Sequence, residues 1–182
     1  MNKYQEYVEY MAKNNVDFLF GNSSSVHAAI VMSTMLKYAE RKVLLYVKNL
    51  DGSVFDRNPS FENEIENFLD KGGRLTIVVE EDKEYKDSKI YNKLESINKR
   101  GLSNFLIKKD DKEQNFKKKV KAILTDKELN GAFYMVADNK AYRLETDSTE
   151  HIAYCNFKDT ERAGKLSKVF LDNYLSCPKF FN

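Results

Sequence analysis

Apolar positions along this chain follow two alternating rhythms. Over residues 3–14, Tyr4, Tyr7, Tyr10 and Met11 recur at three- and four-residue spacings, which places them on one stripe of a helix. The short run VDFLFG (16–21) ends at a glycine and is followed by Asn22, Ser23, Ser24 and Ser25, all competent caps; it predicts a strand, a turn and a helix start. From Val26, Ala29, Ile30, Met32, Leu36 and Ala39 keep one helical face apolar. KVLLYVKNL (42–50) is continuously apolar at its centre, as a strand buried on both faces requires. After a polar loop (51–60) the pattern repeats. Phe61, Ile65, Phe68 and Leu69 mark a helix stopped by Gly72 and Gly73, and RLTIVVE (74–80) is a second buried strand. Ile90, Leu94 and Ile97 mark a further helix, and NFLIKK (104–109) a short strand. Helix and strand alternating at this spacing predict parallel strands joined by right-handed crossovers.

The last third changes character. A helix over QNFKKKVKAILTDKEL is followed by AFYMVAD, a turn at Asp138-Asn139, then AYRLET and HIAYCNF, which read as adjacent strands, the first two joined by a tight hairpin. A closing helix over 159–176, capped by Asp159 or Thr160, presents Leu166, Val169, Phe170 and Tyr174 to a core. No internal repeat and no Gly-, Pro- or Ser-rich linker interrupts residues 1–182, which predicts a single domain.

Composition narrows the chemistry. With 42% hydrophobic and 32% charged positions the 182 residues can bury one sizeable core. Thirty basic and twenty-eight acidic side chains nearly cancel, so any site for a polyanion must be local. Two cysteines and two histidines cannot build a disulfide framework or a Cys/His zinc cage. No apolar run reaches the roughly 18 to 20 residues of a membrane span, and the opening MNKYQEYVEYMAKNN is too polar for a signal peptide. The expectation is a cytoplasmic protein with reduced thiols and no membrane partner.

Three stretches carry a family resemblance: FLFGNSSSVHAAIVMSTMLKYAERKVLLYVKNL, FENEIENFLDKGGRLTIVVEED, and AFYMVADNKAYRLETDSTEHIAYCNFKDTERAGKLSKVFLDNYL. Together they cover most of residues 16–176, and the chain resembles the phospholipase D superfamily, most closely its small single-motif members related to bacterial endonucleases that form homodimers. The resemblance implies a three-layer α/β/α sandwich with a mixed sheet, similar to one half of a phospholipase D-type enzyme. It also implies a chemistry resting on H-x-K-x-x-x-x-D, then Gly-Ser or Gly-Gly and an Asn. There the histidine attacks phosphorus while the lysine and asparagine hold nonbridging oxygens. Two such motifs meet at one site, from two halves of a chain or from two subunits.

Aligned on MVADNKAY, the motif aspartate is Asp138, and counting back seven and five positions gives Gly131 and Phe133 where the family has histidine and lysine. No histidine lies between His27 and His151, so no shift of register supplies the attacking group. Glu145 and Thr146 fall at the Gly and Ser, Ser148 near the Asn, and Glu150 near a later acidic residue. The motif positions Gly131, Phe133, Asp138, Thr146 and Glu150 therefore predict a degenerate site with no catalytic residue, no cofactor and no metal.

Other candidates have plain alternatives beside them. His27, behind three serines at a helix start, suits an anion, but helix capping explains the serines equally well. His151 reads as a strand-edge residue whose neighbour Glu150 points to the opposite face. Asp51, Asp56, Asp138, Glu145 and Glu150 could be imagined as a carboxylate metal site, yet nothing in their spacing compels it. Residues 99–121 hold nine Lys/Arg against three acids, the one basic segment. Lys117, Lys118, Lys119 and Lys121, with Lys140 and Arg143, are the candidates for phosphate or nucleic-acid contact, against the alternative of a solvated helix face. The tyrosine stripe and Phe180-Phe181 need a covering surface, either this chain or a second copy.

The expected function is a binding or scaffolding module, working as a homodimer or beside a partner enzyme, with nucleic acid as a candidate partner. The alternative is a divergent phosphodiesterase or nuclease that rebuilt its site around Tyr134, Tyr142, Lys140 and Arg143.

Overall fold

A computed structural model describes residues 3–110, 116–124 and 132–181, with the side chains of 123 and 124 excepted. In chain order it contains α1 (Lys3–Lys13), β1 (Phe20–Ser23), α2 (Ser25–Tyr38), β2 (Lys42–Val47) and a 3-10 turn (Phe55–Arg57). There follow α3 (Phe61–Asp70), β3 (Arg74–Val79), α4 (Lys89–Lys99), β4 (Phe105–Lys109) and α5 (Phe116–Leu124), then β5 (Tyr134–Ala137), β6 (Ala141–Asp147), β7 (Ile152–Asn156) and α6 (Thr160–Asn173).

The strands form one mixed sheet in the order β1-β7-β6-β5-β2-β3-β4. Strands β2, β3 and β4 are parallel, as their helical crossovers require, and β5, β6, β7 and β1 continue antiparallel. Alternate residues of the strands feed two separate cores. Val43, Leu45, Leu75, Ile77 and Met135 pack beneath α1 to α4, while Leu44, Tyr46, Val136, Tyr142 and Leu144 pack beneath α5 and α6. The architecture is the expected α/β/α sandwich, with the hairpin β5–β6 at its centre.

Helix α2 is buried from Ala28 to Leu36, which is why its apolar pattern runs almost all round the helix. β1 is shorter than the apolar run predicts. Asn15, at φ +47°, ends α1, and Phe18 and Leu19 stay exposed before Phe20 pairs with β7, the edge strand's one neighbour among the described residues.

Helix α3 ends in a Schellman motif: the Gly73 N–H bonds the Phe68 carbonyl at 2.9 Å, the Gly72 N–H bonds the Leu69 carbonyl at 2.9 Å, and Gly72 sits at φ +85°. Gly73 is needed for a different reason. A Cβ there would lie 2.3 Å from Cε2 of the buried Phe68 ring. Gly73→Ala is expected to cost about 1–3 kcal/mol through overpacking, read as a lower urea midpoint, whereas Gly101→Asn at an open left-handed position should cost less.

The hairpin turn is built on Asp138 and Asn139 at φ +52° and +57°, the paired left-handed conformation of a tight two-residue turn. The Asp138 carboxylate accepts the backbone N–H groups of Glu40 (2.8 Å), Arg41 (2.9 Å) and Lys42 (2.9 Å), tying the turn to the α2–β2 connection. The aromatic surplus of the termini is covered by this chain in part, Tyr10 staying 63% exposed. Tyr4 stacks on His27 at 3.8 Å, Tyr7 meets Phe20 edge-on, and Phe180 and Phe181 pack on Tyr91. The tail also bridges β4 at Lys108 and Lys179, closing that sheet edge. Among the described residues, no helix is long and apolar enough to cross a membrane.

Candidate functional site

A cavity of about 190 Å³ opens at the end of the sheet where β2 finishes. Its walls come from the end of β2 and the loop behind it (Tyr46 to Asn49), the start of β5 (Phe133, Tyr134), the inward face of β6 (Arg143, Glu145), the β6–β7 turn (Ser148, His151) and the loop carrying Val54 and Phe55. A position beyond the carboxyl ends of parallel strands is where α/β sheets generally hold ligands.

Arg143 and Glu145 are two apart on β6, so both side chains project to the same face of the sheet. Arg143 Nη2 donates to Glu145 Oε2 at 2.9 Å, with the two side chains only 4% and 8% exposed. The Arg143 Nε–H is held by Asn22 Oδ1 on β1 (3.1 Å), and the Asn22 amide in turn donates to the His151 carbonyl (2.8 Å). This bond pins His151 in a turn at φ +53°, a conformation uncommon for a residue with a Cβ. One extra residue, Thr146, interrupts the β6–β7 register between Glu145 and Asp147, a bulge that bends the strand where the cavity forms. The expectation of a strand histidine is thus corrected. His151 lies in the turn between strands, and its buried Nδ1 sits 3.7 Å from Glu145 Oε2 without a hydrogen bond.

The motif positions separate. Phe133 stands in the cavity wall, 4% exposed, with the Lys117 ammonium 4.4 Å from its ring centroid. Lys117 is itself paired with Glu80 at 2.9 Å. Gly131 lies outside the described residues. Asp138 is at the other end of the hairpin, beside Lys42, where it holds backbone. Four strand residues separate it from the cavity, about 13 Å at the usual rise. Thr146 donates to the Ile152 carbonyl (3.3 Å), and Glu150 is exposed in the turn.

Of the residues imagined as a rebuilt phosphodiesterase site, Tyr134 and Arg143 both line the cavity, while Tyr142 and Lys140 lie elsewhere. Tyr134 is fully buried with its hydroxyl 3.4 Å from the Leu166 carbonyl, Tyr142 faces α6 and accepts from Arg162 (3.2 Å), and Lys140 is in the distant hairpin turn. Asp56 caps α4 by accepting the N–H groups of Lys89 and Ile90, and the Ser24 hydroxyl caps α2 by accepting the His27 N–H. Among the described residues no group of three His, Cys, Asp or Glu side chains converges as metal ligands do.

The basic segment is partly neutralised by acids from other elements. Lys99 pairs with Glu95 (2.8 Å), Arg100 with Glu66 (2.6 Å) and Lys109 with Asp82 (2.8 Å), beside the Lys117–Glu80 pair. Lys118 is exposed on α5, Lys121 is half-buried, and Lys119 bonds the Asn173 side chain. Lys112 lies outside the described residues.

Sequence reasoning missed Lys48, Asn49, Asn22 and the placement of His151. A signal existed for the first two, which directly follow a buried parallel strand. Lys48 is within 3.7 Å of Glu81, which also accepts from Asn49 (3.3 Å) and Tyr85 (3.1 Å), and burial together with that bond pushes the Tyr85 phenol up to about 12.

Burial also raises Tyr46, whose hydroxyl bonds Asp110 at 3.0 Å, raises Tyr134 well above 10, and pushes the Cys155 thiol up to about 12. Unfolded tyrosine and cysteine ionise near 10 and 8.5. Their neutral forms are the ones folding keeps, so the contribution is intact below pH about 8.5 and is lost as pH rises towards the folded values. The melting temperature is expected to fall steadily between pH 9 and 11, and less steeply in Tyr134→Phe, by thermal denaturation followed by circular dichroism.

No protein-family model matches this chain, and no curated protein matches it in sequence. Solved structures do match. Nuc, a phospholipase D family member from Salmonella typhimurium, superposes with a TM-score of 0.61 at 10% identity over 92% of this chain and 100% of that one. NucT from Helicobacter pylori gives 0.58 at 12% identity over 90% of this chain and 98% of that one. TrmBL2, an archaeal chromatin protein described as showing a novel mode of DNA binding, gives 0.57 at 15% identity over 96% of this chain. This chain spans 60% of TrmBL2. At these identities the likeness is one of fold: the chain has the phospholipase D fold.

Proposed function

We propose that this chain uses the phospholipase D fold to bind rather than to cut. The observation that carries the reading is the pairing state of the cavity's cations. Attack on phosphorus needs a nucleophile beside cations that can take up the nonbridging charge. Here the lysine position of the motif is Phe133, the lining Lys48 stands 3.7 Å from Glu81, the nearby Lys117 is committed to Glu80, and Arg143 is balanced by Glu145 at 2.9 Å. A phosphodiester placed on Arg143 would lie against a carboxylate. The partner reading follows the same logic: the module acts in the cytoplasm as a homodimer or beside a partner protein, and touches nucleic acid through the outer face of α5 at Lys118 and Lys121. The fold's occurrence in a DNA-binding chromatin protein supports that partner class.

The rival reading, a divergent phosphodiesterase, has one observation in its favour: the imidazole of His151 lies near Glu145 at the cavity rim. Incubation with bis-p-nitrophenyl phosphate, DNA and RNA, with and without Mg²⁺ or Mn²⁺, separates the two. No turnover above buffer is expected, and hydrolysis that disappears in His151→Ala would establish the rival. Binding of DNA should weaken with rising salt and weaken further in a Lys118→Glu, Lys121→Glu variant. Unchanged affinity would reduce α5 to a solvated face.

A further inference from the structure

The same cavity has a wall chemistry that selects a ligand class. Among the described residues, Arg143 spends Nε on Asn22 and Nη2 on Glu145, which leaves Nη1 as a donor without a protein acceptor. Glu145 spends one lone pair of Oε2 on Arg143, so among the described residues Oε1 accepts from no protein donor, Oε2 keeps a second lone pair, and the carboxylate can still accept twice. Both residues line the cavity, so a donor and an acceptor stand side by side on a rigid strand. The rest of the lining combines an apolar, partly aromatic patch, Val47, Val54, Phe55 and Phe133, with polar loop groups such as Lys48 and Asp51. A volume of about 190 Å³ is below that of a pocket for a drug-sized ligand and on the scale of one heterocycle.

Three ligand chemistries can be compared on these terms. A phosphate is disfavoured, because Arg143 already holds the Glu145 carboxylate at 2.9 Å and Lys48, the other cation in the lining, stands 3.7 Å from Glu81. A polyol would leave the hydroxyls turned to Val47, Val54, Phe55 and Phe133 unpaired and desolvated. A flat ring with hydrogen-bonding groups on one edge satisfies both walls at once, since its faces meet apolar surface and its edge meets the charged pair.

We infer that the cavity is a nucleobase site with a preference for guanine. Guanine offers O6 to the Arg143 guanidinium and two adjacent N–H groups, on N1 and N2, to the Glu145 carboxylate. Adenine, cytosine and uracil each offer a single donor beside an acceptor, so each makes one contact fewer. The inference rests on the reading that this cleft binds, and it names what is bound.

The test is calorimetric titration of the intact chain with guanosine, adenosine, cytidine and uridine, and with inorganic phosphate as an anion probe. Guanosine is expected to bind at one site at least about tenfold more tightly than the other three nucleosides, the worth of one additional good contact. Glu145→Gln should weaken guanosine by a similar factor. Val54→Trp, which fills the cavity from a loop without touching the charged pair, should abolish binding while the circular dichroism spectrum is retained, so the test survives if Glu145→Gln does not fold. Single-stranded oligonucleotides with one guanine or none then distinguish a base presented by a strand from a free nucleoside. Absence of nucleoside binding, equal affinity for all four, binding unaffected by Val54→Trp, or phosphate binding in place of guanosine would each overturn the inference. None of these results alters the turnover measurement, so failure here and failure of the binding-module reading remain distinguishable.

Discussion

Asp138→Ala is expected to lower the stability of this protein by about 2–4 kcal/mol, although the residue is remote from the cavity. Three backbone N–H groups, on Glu40, Arg41 and Lys42, donate to its carboxylate at 2.8–2.9 Å. Hydrogen bonds to a charged acceptor are worth about 1.5–3 kcal/mol each, and water recovers part of the loss where the donors are exposed. Alanine would in addition have to adopt φ +52°, which disfavours a residue with a Cβ. Asp138→Gly separates the two effects: it relieves the backbone and loses the bonds, so it should recover only a part. Urea denaturation reads all three proteins. A midpoint for Asp138→Ala within error of the parent would mean that the turn is held by something other than this carboxylate. The motif aspartate in this chain is thus expected to be a structural clasp.

The second large effect concerns the buried pair. Removing one member of a buried ion pair leaves an uncompensated charge and costs about 3–5 kcal/mol, whereas replacing both members by apolar groups of similar volume is often neutral. Arg143→Ala and Glu145→Ala should each fall in that range, because the two side chains are almost fully buried and hold each other at 2.9 Å. The double variant Arg143→Met, Glu145→Leu should return to within about 1–2 kcal/mol of the parent. The restored protein would be folded but without the polar edge of the cavity, and so unable to bind there. Single variants that each cost under about 1 kcal/mol would show that water reaches the pair freely.

Elements whose apolar period was sustained were legible in the sequence. The run KVLLYV could only be a strand with both faces covered, and the helix closed by Gly72-Gly73 ends in the Schellman motif those glycines suggest. The tight turn at Asp138-Asn139 was legible from residue type, and its central place in the sheet from the family resemblance. The partner of β1 was not. Phe20–Ser23 pairs with Ile152–Cys155, more than a hundred residues away, and nothing local encodes that choice. In AYRLETD, strict alternation already places Ala141, Arg143 and Glu145 on one face, so a buried charged pair could have been read there. The reading of Arg143 as a phosphate contact did not include its partner, Glu145, two positions along the same strand. His151 was misplaced because a positive φ is a property of the surrounding turn, fixed here by a side-chain amide from β1. The lysine-rich segment showed its charge but not its neutralisation, since Glu66, Glu80 and Asp82 come from other parts of the fold.

Whether an imidazole in this cleft attacks phosphorus separates a binding module from an enzyme, and intact-mass spectrometry answers that directly. The purified chain is incubated with bis-p-nitrophenyl phosphate, quenched in alkaline denaturant to preserve a phosphorus–nitrogen bond, and weighed beside His151→Ala. An unmodified mass for both proteins is the predicted result; a p-nitrophenylphosphoryl adduct on the parent chain, formed with release of one p-nitrophenolate and missing from His151→Ala, would contradict it.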